Sequence, residues 1–303
     1  MKQWWLIPGV DGGQSELRDV ERPVCSATGV VVEVQAAAIN RGELLMRPLM
    51  NVANPKARAL PSGIEFAGMI ADVGAAVTGW AIGDTVMGRG SGCHAEFVAV
   101  ETAALMPIPV GMSFAEAAAI PNVFVTAHDA MVSAAAMSAN EAVMITAGSS
   151  GVGTAAIQVA AKLNAGHIVA TTRSPEKFDA LTALGATLVV DTTRSDWTDQ
   201  VLEVTGGVDV VIDQVGGPIF EPCLELLSVG GRYITVGRNG GRDAAIDLDL
   251  VARQRLSIIG VTFRTRTPAE ALACSARFVD DLLPAFSDGS LRPVLAATFP
   301  FDE

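Results

Sequence analysis

Residues 147 to 153 read Ala-Gly-Ser-Ser-Gly-Val-Gly, directly after the apolar run 142–146 and directly before 154–163, where apolar residues recur at helical spacing. A strand, a glycine-rich turn and a helix start in that order present free backbone N–H groups and a positive helix end to an anion. Glycine lets the main chain approach phosphate oxygens where a Cβ would collide. Alone, such a loop is weak evidence, because turns everywhere are rich in glycine. Its surroundings strengthen it: apolar runs 167–172, 187–191, 208–213, 232–237 and 256–262 follow, separated by helix-like stretches or Gly/Asp turns. That βα alternation is expected of a doubly wound parallel sheet buried on both faces, and makes a dinucleotide site the leading expectation.

The chain has 303 residues, half of them apolar, which suits two domains better than one core. Residues 1 to about 115 are β-rich and turn-rich: 30–34, 68–73 and 95–100 read as strands, with Gly79, Gly83, Gly88, Gly90 and Gly92 marking turns. Helical stretches 114–120 and, beyond Pro121, 125–136 lead to the glycine-rich loop, so the boundary is expected near residue 115. No uninterrupted apolar run reaches about 18 residues and the start lacks an apolar signal core, so a cytoplasmic protein without a membrane span is expected. Cys25, Cys93, Cys223 and Cys274 form no CxxC pair and read as free thiols. A net charge of −12 disfavours nucleic acid and anionic membranes as partners, while leaving room for a local basic pocket.

The segments Gly63-Ile-Glu-Phe-Ala-Gly68, Gly79-Trp-Ala-Ile-Gly-Asp-Thr-Val86 and Ala147-Gly-Ser-Ser-Gly-Val-Gly153, with Gly216-Gly217 after Asp213, resemble in order and spacing the medium-chain dehydrogenase/reductase superfamily. The resemblance runs from about residue 25 to the end. It implies a GroES-like catalytic domain, residues 1–115 completed by about 265–303, interrupted by a Rossmann-type nucleotide-binding domain, 116–264, with the active site in the cleft between them. Relatives usually continue past a Phe-Pro segment into one more helix and a closing strand, whereas this sequence stops at 299–303. If that portion is missing from the molecule, an edge strand lacks its partner and stability or solubility suffers.

Ser149, Ser150, Gly151, Val152 and Gly153 are the candidate pyrophosphate residues. In NAD-preferring folds of this type an acidic side chain near the end of the second strand, about 20 residues beyond the loop, bonds the ribose hydroxyls. Alignment of the Ser-Pro-Glu-Lys stretch with relatives puts Thr172 there. Arg173 and Lys177 supply two positive charges and Ser174 a hydroxyl, so NADPH is expected over NADH, although Glu176 opposes an added phosphate. The competing reading is that both cations merely solvate a helix start. The resemblance also puts Thr126, the Val236-Gly237 turn, Asn239 and the Phe263-Arg264 pair along the nicotinamide or phosphate path.

Zinc-dependent relatives hold the catalytic ion with three side chains, and these positions fall here on Asn40, Ile64 and Asn122, none a usual zinc ligand. The four-cysteine structural lobe is also missing, and no metal is expected. Cys93 and His94, adjacent on a strand, point opposite ways and read as structural. Glu65 survives from the Gly-His-Glu motif and is expected to anchor a turn or approach the nicotinamide side.

A pocket without a Lewis acid disfavours hydride attack on an isolated ketone, but suits a quinone or an enone, in which the new charge is delocalised. The resemblance to zinc-independent quinone oxidoreductases agrees, and implies that Asn40, in Ile39-Asn40-Arg41-Gly42-Glu43, sits beside the nicotinamide. Asn40 is therefore the candidate catalytic residue, contacting cofactor or substrate, against the alternative that it only holds a turn. Related 2-enoyl thioester reductases often use a tyrosine just after this Asn. The sole tyrosine here, Tyr233, lies on the expected fifth Rossmann strand, so a thioester acceptor is less favoured and the proton would come from water. The apolar side chains and Arg47 of 44–51 suggest a pocket for a compact apolar or aromatic substrate, or simply core.

The expected function is NADPH-dependent hydride transfer to quinones or other conjugated carbonyl compounds. Alternatives are an enone, alkenal or haloacrylate reductase, and a low-turnover NADPH-binding structural or regulatory protein. The apolar run 256–262 at the sheet edge suggests a homodimer.

Overall fold

Runs of Val, Ile and Ala without polar alternation are stable in strands covered on both faces, and the computed structural model, which describes residues 1–44 and 46–302, puts them there. The chain divides into two units, Met1–Asn122 with Ser275–Glu303, and Val123–Cys274. No helix among the described residues is long and apolar enough to cross a membrane.

The first unit carries β1 (Lys2–Ile7), β2 (Gln14–Asp19), β3 (Gly29–Ala36), α1 (Arg41–Leu44), β4 (Leu60–Pro61), β5 (Glu65–Val73), β6 (Thr85–Arg89), β7 (Phe97–Glu101), β8 (Leu105–Pro107) and α2 (Phe114–Ala118). They form two antiparallel sheets, ordered β2-β1-β4 and β7-β3-β5-β6-β8. Val30, Val32, Phe66, Ile70, Val86 and Val98 converge in the core of the larger sheet. α2 packs against β3, β5 and β6. Its start is fixed by a capping box between Ser113 and Glu116. It ends sooner than the helical pattern predicts, because Pro121 disfavours helix in the residue before it.

The second unit carries α3 (Val123–His128), β9 (Ala142–Ile145), α4 (Gly151–Lys162), β10 (His167–Thr172), α5 (Phe178–Ala183), β11 (Leu188–Asp191), α6 (Trp197–Thr205), β12 (Val208–Asp213), α7 (Phe220–Glu225), β13 (Leu227–Thr235), α8 (Leu248–Gln254) and β14 (Ser257–Gly260). The six strands form one parallel sheet ordered β11-β10-β9-β12-β13-β14. This is the doubly wound Rossmann-type arrangement, and the strand order reverses at β9, where such sheets bind nucleotides at their carboxyl ends. The division between the units falls within α9 (Pro268–Leu282), which α10 (Pro284–Ser287) follows.

Two helices differ from the sequence pattern. α4 starts at Gly151, three residues before the apolar periodicity, because the Ser150 hydroxyl caps it by accepting from Gly153 N at 3.0 Å. The stretch predicted as one helix over 125–136 is α3 followed by a wider π turn, Asp129–Ala134. That turn begins at buried Asp129, whose carboxylate accepts from Arg266 Nη2 at 2.6 Å.

β5 buries a carboxyl group: Glu65 is 1% exposed. Burial pushes its pKa up to about 7, against hydrogen bonds from Asn40 and the Asn122 backbone and the nearby charge of Arg89. Folding therefore favours the protonated form. The contribution of Glu65 to stability is complete below its ordinary pKa of 4.5 and is lost as pH rises through about 7. In denaturant unfolding, wild type should lose stability relative to Glu65→Gln by up to about 1.4 kcal/mol per pH unit over this interval. Parallel pH profiles for the two proteins would show that the carboxyl group titrates normally.

Candidate functional site

In a parallel sheet all carboxyl ends lie on one edge, and the candidate cofactor residues of the second unit gather there. Ser149 to Gly153 follow β9, Thr172 ends β10 and Arg173 to Lys177 follow it, Val236 to Asn239 follow β13, and Phe263 and Arg264 follow β14. Thr126 lies in α3, which packs on α4, and is 8% exposed.

The loop after β9 is stitched to the end of β12. The fully buried Asp213 carboxylate accepts from Thr146 Oγ1 (2.6 Å), Val215 N (2.9 Å) and Gly216 N (2.7 Å). Gln214 Nε2 donates to the Thr146 carbonyl at 2.9 Å, and its Oε1 accepts from Ser150 Oγ at 2.8 Å. The Ser150 hydroxyl is thereby fixed, donating to Gln214 and accepting from Gly153. Asn239 Nδ2 donates to the Gln214 carbonyl at 3.0 Å, tying in the segment after β13.

A Cβ on Gly153 would lie 2.4 Å from the Ala147 carbonyl oxygen, so the helix tip reaches this position only with glycine. With Ser150 serving Gly153 and Thr154, the amides of Gly151 and Val152 have no protein acceptor among the described residues. They fit a pyrophosphate at the helix end. Sequence reasoning overlooked Gln214 and Thr146 as the groups that fix this loop; the only signal was their position beside its ends.

At the end of β10, Thr172 Oγ1 accepts from Ser174 N at 3.2 Å and shapes the turn that carries Arg173 and Lys177, both exposed. Thr172 is in register with Asp191 on β11, a carboxylate missed because it comes from the neighbouring strand. One oxygen of Asp191 is occupied by Thr193 N and Oγ1, at 2.9 and 2.8 Å. Arg194 is held by Asp196 through two hydrogen bonds, leaving Arg173 and Lys177 as the cations of this turn.

The first unit brings together Asn40, Glu65, Asn122, Arg89 and Glu43. Glu43 accepts from Asn40 N at 2.9 Å and from Gly63 N at 3.1 Å, so Glu43 holds the turn while the Asn40 side chain is used elsewhere. Asn40 Nδ2 donates to Glu65 Oε1 at 2.6 Å, and its Oδ1 accepts from Asn122 Nδ2 at 2.7 Å. Asn122 N donates to Glu65 Oε2 at 2.6 Å, and Asn122 Oδ1 accepts from Arg89 Nη2 at 3.3 Å. Gly63, at φ +95°, makes the turn into β5; a Cβ there would lie 2.2 Å from His94 N. Glu65 thus anchors two amides, a pairing sequence reasoning did not see because the residues are far apart in the chain.

Cys93 is fully buried, and burial pushes its thiol pKa up. Both His94 nitrogens are engaged: Nε2 donates to the Ala38 carbonyl at 3.1 Å, which leaves Nδ1 to accept from Ser62 Oγ at 2.8 Å. Among the described residues no group of three His, Cys, Asp or Glu side chains is placed to hold a metal ion. In segment 44–51, Leu44 and Leu49 are exposed, Met50 is buried, and Leu45 lies outside the described residues.

The family model for an alcohol dehydrogenase GroES-like domain matches residues 26–127, and that for a zinc-binding dehydrogenase matches 151–278. The solved quinone oxidoreductase of Thermus thermophilus, determined alone and with NADPH, is 30% identical with a TM-score of 0.84, over 100% of this chain and 93% of that one. The CurK enoyl reductase structure is 26% identical with a TM-score of 0.82, over 99% and 92%. The spectinabilin polyketide synthase system protein NorB of Streptomyces orinoci is 34% identical over 98% of this chain, which spans only 13% of NorB's length. With both units matched by family models and a solved relative aligned along the whole chain, this protein belongs to the medium-chain dehydrogenase/reductase superfamily, in its quinone-oxidoreductase-like branch.

Proposed function

We propose that this protein is an NADPH-dependent reductase that passes hydride to a conjugated carbonyl acceptor, with quinones as the first substrate class, and does so without zinc. The carrying observation is the bonded amide pair Asn40–Asn122 at two of the positions where zinc-dependent relatives place ligands. Neutral amide donors support a charge delocalised over a quinone or enone, but are poor substitutes for a Lewis acid beside an isolated alkoxide. The Nδ2 group of half-buried Asn40 keeps one N–H not used by Glu65, and this is the donor assigned to the acceptor's carbonyl oxygen.

Ser149 to Gly153 would hold the pyrophosphate, and Arg173, Ser174 and Lys177 the 2′-phosphate. Thr126, Val236, Gly237, Asn239, Phe263 and Arg264 would line the rest of the path. Bound there, NADPH supplies the hydride. Arg173 and Lys177 favour a phosphate where Thr172 offers no carboxylate to repel it.

A second reading, reduction of an enoyl group carried on a thioester, is favoured by the likeness to the CurK enoyl reductase. Tyr233 is fully buried on β13, and burial pushes its pKa far up, so it is unsuited to donate the product's proton. In that reading too, the proton would come from water.

Optical assays of NADPH oxidation should show turnover with 1,4-naphthoquinone and simple enones, and none with cyclohexanone. Equal rates with the unconjugated ketone would sink the proposal, and strong preference for a crotonyl thioester would establish the second reading. NADPH binding without turnover of any conjugated acceptor would favour a regulatory protein. Arg173→Asp should raise the Kd for NADPH about tenfold to a hundredfold and that for NADH by less than about threefold; equal losses would refute the phosphate assignment. The outer strand β14, with Ile258 40% exposed, is the proposed pairing edge for a second copy. Sedimentation should give twice the monomer mass, shifted towards monomer by Ile258→Lys, whereas a monomeric wild type would exclude the dimer.

A further inference from the structure

The four side chains Arg89, Asn122, Asn40 and Glu65 form a series of hydrogen bonds with a direction. A guanidinium can only donate and an ionised carboxylate can only accept. Each amide between them has one donating and one accepting end. The series closes in one way: Arg89 Nη2 donates to Asn122 Oδ1, Asn122 Nδ2 to Asn40 Oδ1, and Asn40 Nδ2 to Glu65 Oε1. Turning either amide over sets nitrogen against nitrogen or oxygen against oxygen, so the chemistry of the two ends decides which way both amides face.

The other oxygen of Glu65 accepts from Asn122 N, which fixes the carboxylate plane, and Glu43 holds the backbone of Asn40 independently. Glu65 is buried, so water does not compete for the bonds to its carboxylate.

We infer that Glu65 and Arg89 are positioning residues that set the orientation of the Asn40 amide, so that Asn40 offers an N–H, and not its carbonyl oxygen, to the oxygen of the substrate that gains charge. The inference rests on the proposed role of Asn40 as the donor to that oxygen. Such a donor matters most in the transition state, where the oxygen is most negative. The loss should therefore appear in kcat and spare the KM for NADPH.

The test is a double-mutant cycle with 1,4-naphthoquinone at about pH 8.5, where Glu65 is ionised. Glu65→Gln puts an amide where the series needs a pure acceptor, so Asn40 loses its fixed sense. Its kcat should fall at least about tenfold. In an Asn40→Ala background the same substitution should change kcat by less than about twofold.

An equal loss in both backgrounds would overturn the inference, because Glu65 would then act independently of Asn40. If Asn40→Ala alone leaves kcat unchanged, the assignment of Asn40 as donor fails, and the relay's role in turnover fails with it. The two failures give different patterns and are told apart.

Asn40→Asp combined with Glu65→Gln exchanges the roles. The new carboxylate at position 40 then accepts from Asn122 Nδ2 and from the new amide at position 65, whose carbonyl oxygen accepts from Asn122 N, so every bond is again complementary. This pair should gain thermal stability over Glu65→Gln while its kcat stays as low as that of Asn40→Ala. Recovery of both stability and kcat would overturn the inference, because turnover would need only an intact network and not an amide N–H at residue 40.

Discussion

Buried polar groups must find partners inside the protein, and the candidate site residues of each unit are arranged around that requirement. In the second unit the constraint is strictest at Asp213, fully enclosed at the end of a central strand. Its carboxylate has three donors, Thr146 Oγ1 and the amides of Val215 and Gly216, and these link the ends of β9 and β12. The cost of an unpartnered buried carboxylate is several kcal/mol, so this junction tolerates little rearrangement. The glycine-rich loop inherits its rigidity, because Gln214 carries the connection on to the hydroxyl that caps α4. An anion at that helix tip meets donors already in place, with little ordering left to do on binding.

The first unit answers the same requirement with amides. Glu65 is buried at the start of β5, opposite Arg89 on β6, and its two oxygens are met by Asn40 Nδ2 and Asn122 N. A neutral amide pair, braced by a carboxylate and a guanidinium, holds its hydrogen-bond donors in a fixed direction.

Much of the nucleotide unit was legible along the chain. Unbroken apolar runs such as 142–146 and 208–213 are readable because a strand covered on both faces needs no polar alternation. The glycine-rich loop is readable because a helix tip that comes this close to the Ala147 carbonyl leaves no room for a Cβ at residue 153. Helix limits were less legible: the start of α4 depends on whether the Ser150 hydroxyl turns back to cap it, and the π turn at Asp129 on an arginine 137 residues away in sequence. Asp191 escaped notice for a similar reason, since only the pairing of β10 with β11 sets it beside Thr172.

Periodicity, glycine spacing and donor chemistry are local properties, so the βα order of the second unit, the family pattern and the residue types at positions 40, 64 and 122 could be read along the chain. How those residues are used was settled by folding. That Asn40 leaves its turn to Glu43 and gives its side chain to Glu65 and Asn122, or that Gln214 holds Ser150, follows from strand register and burial. Hydrogen-bond partners such as Asn40 and Asn122, 82 residues apart, are chosen by which groups folding shuts away from water together, and no local pattern encodes that choice.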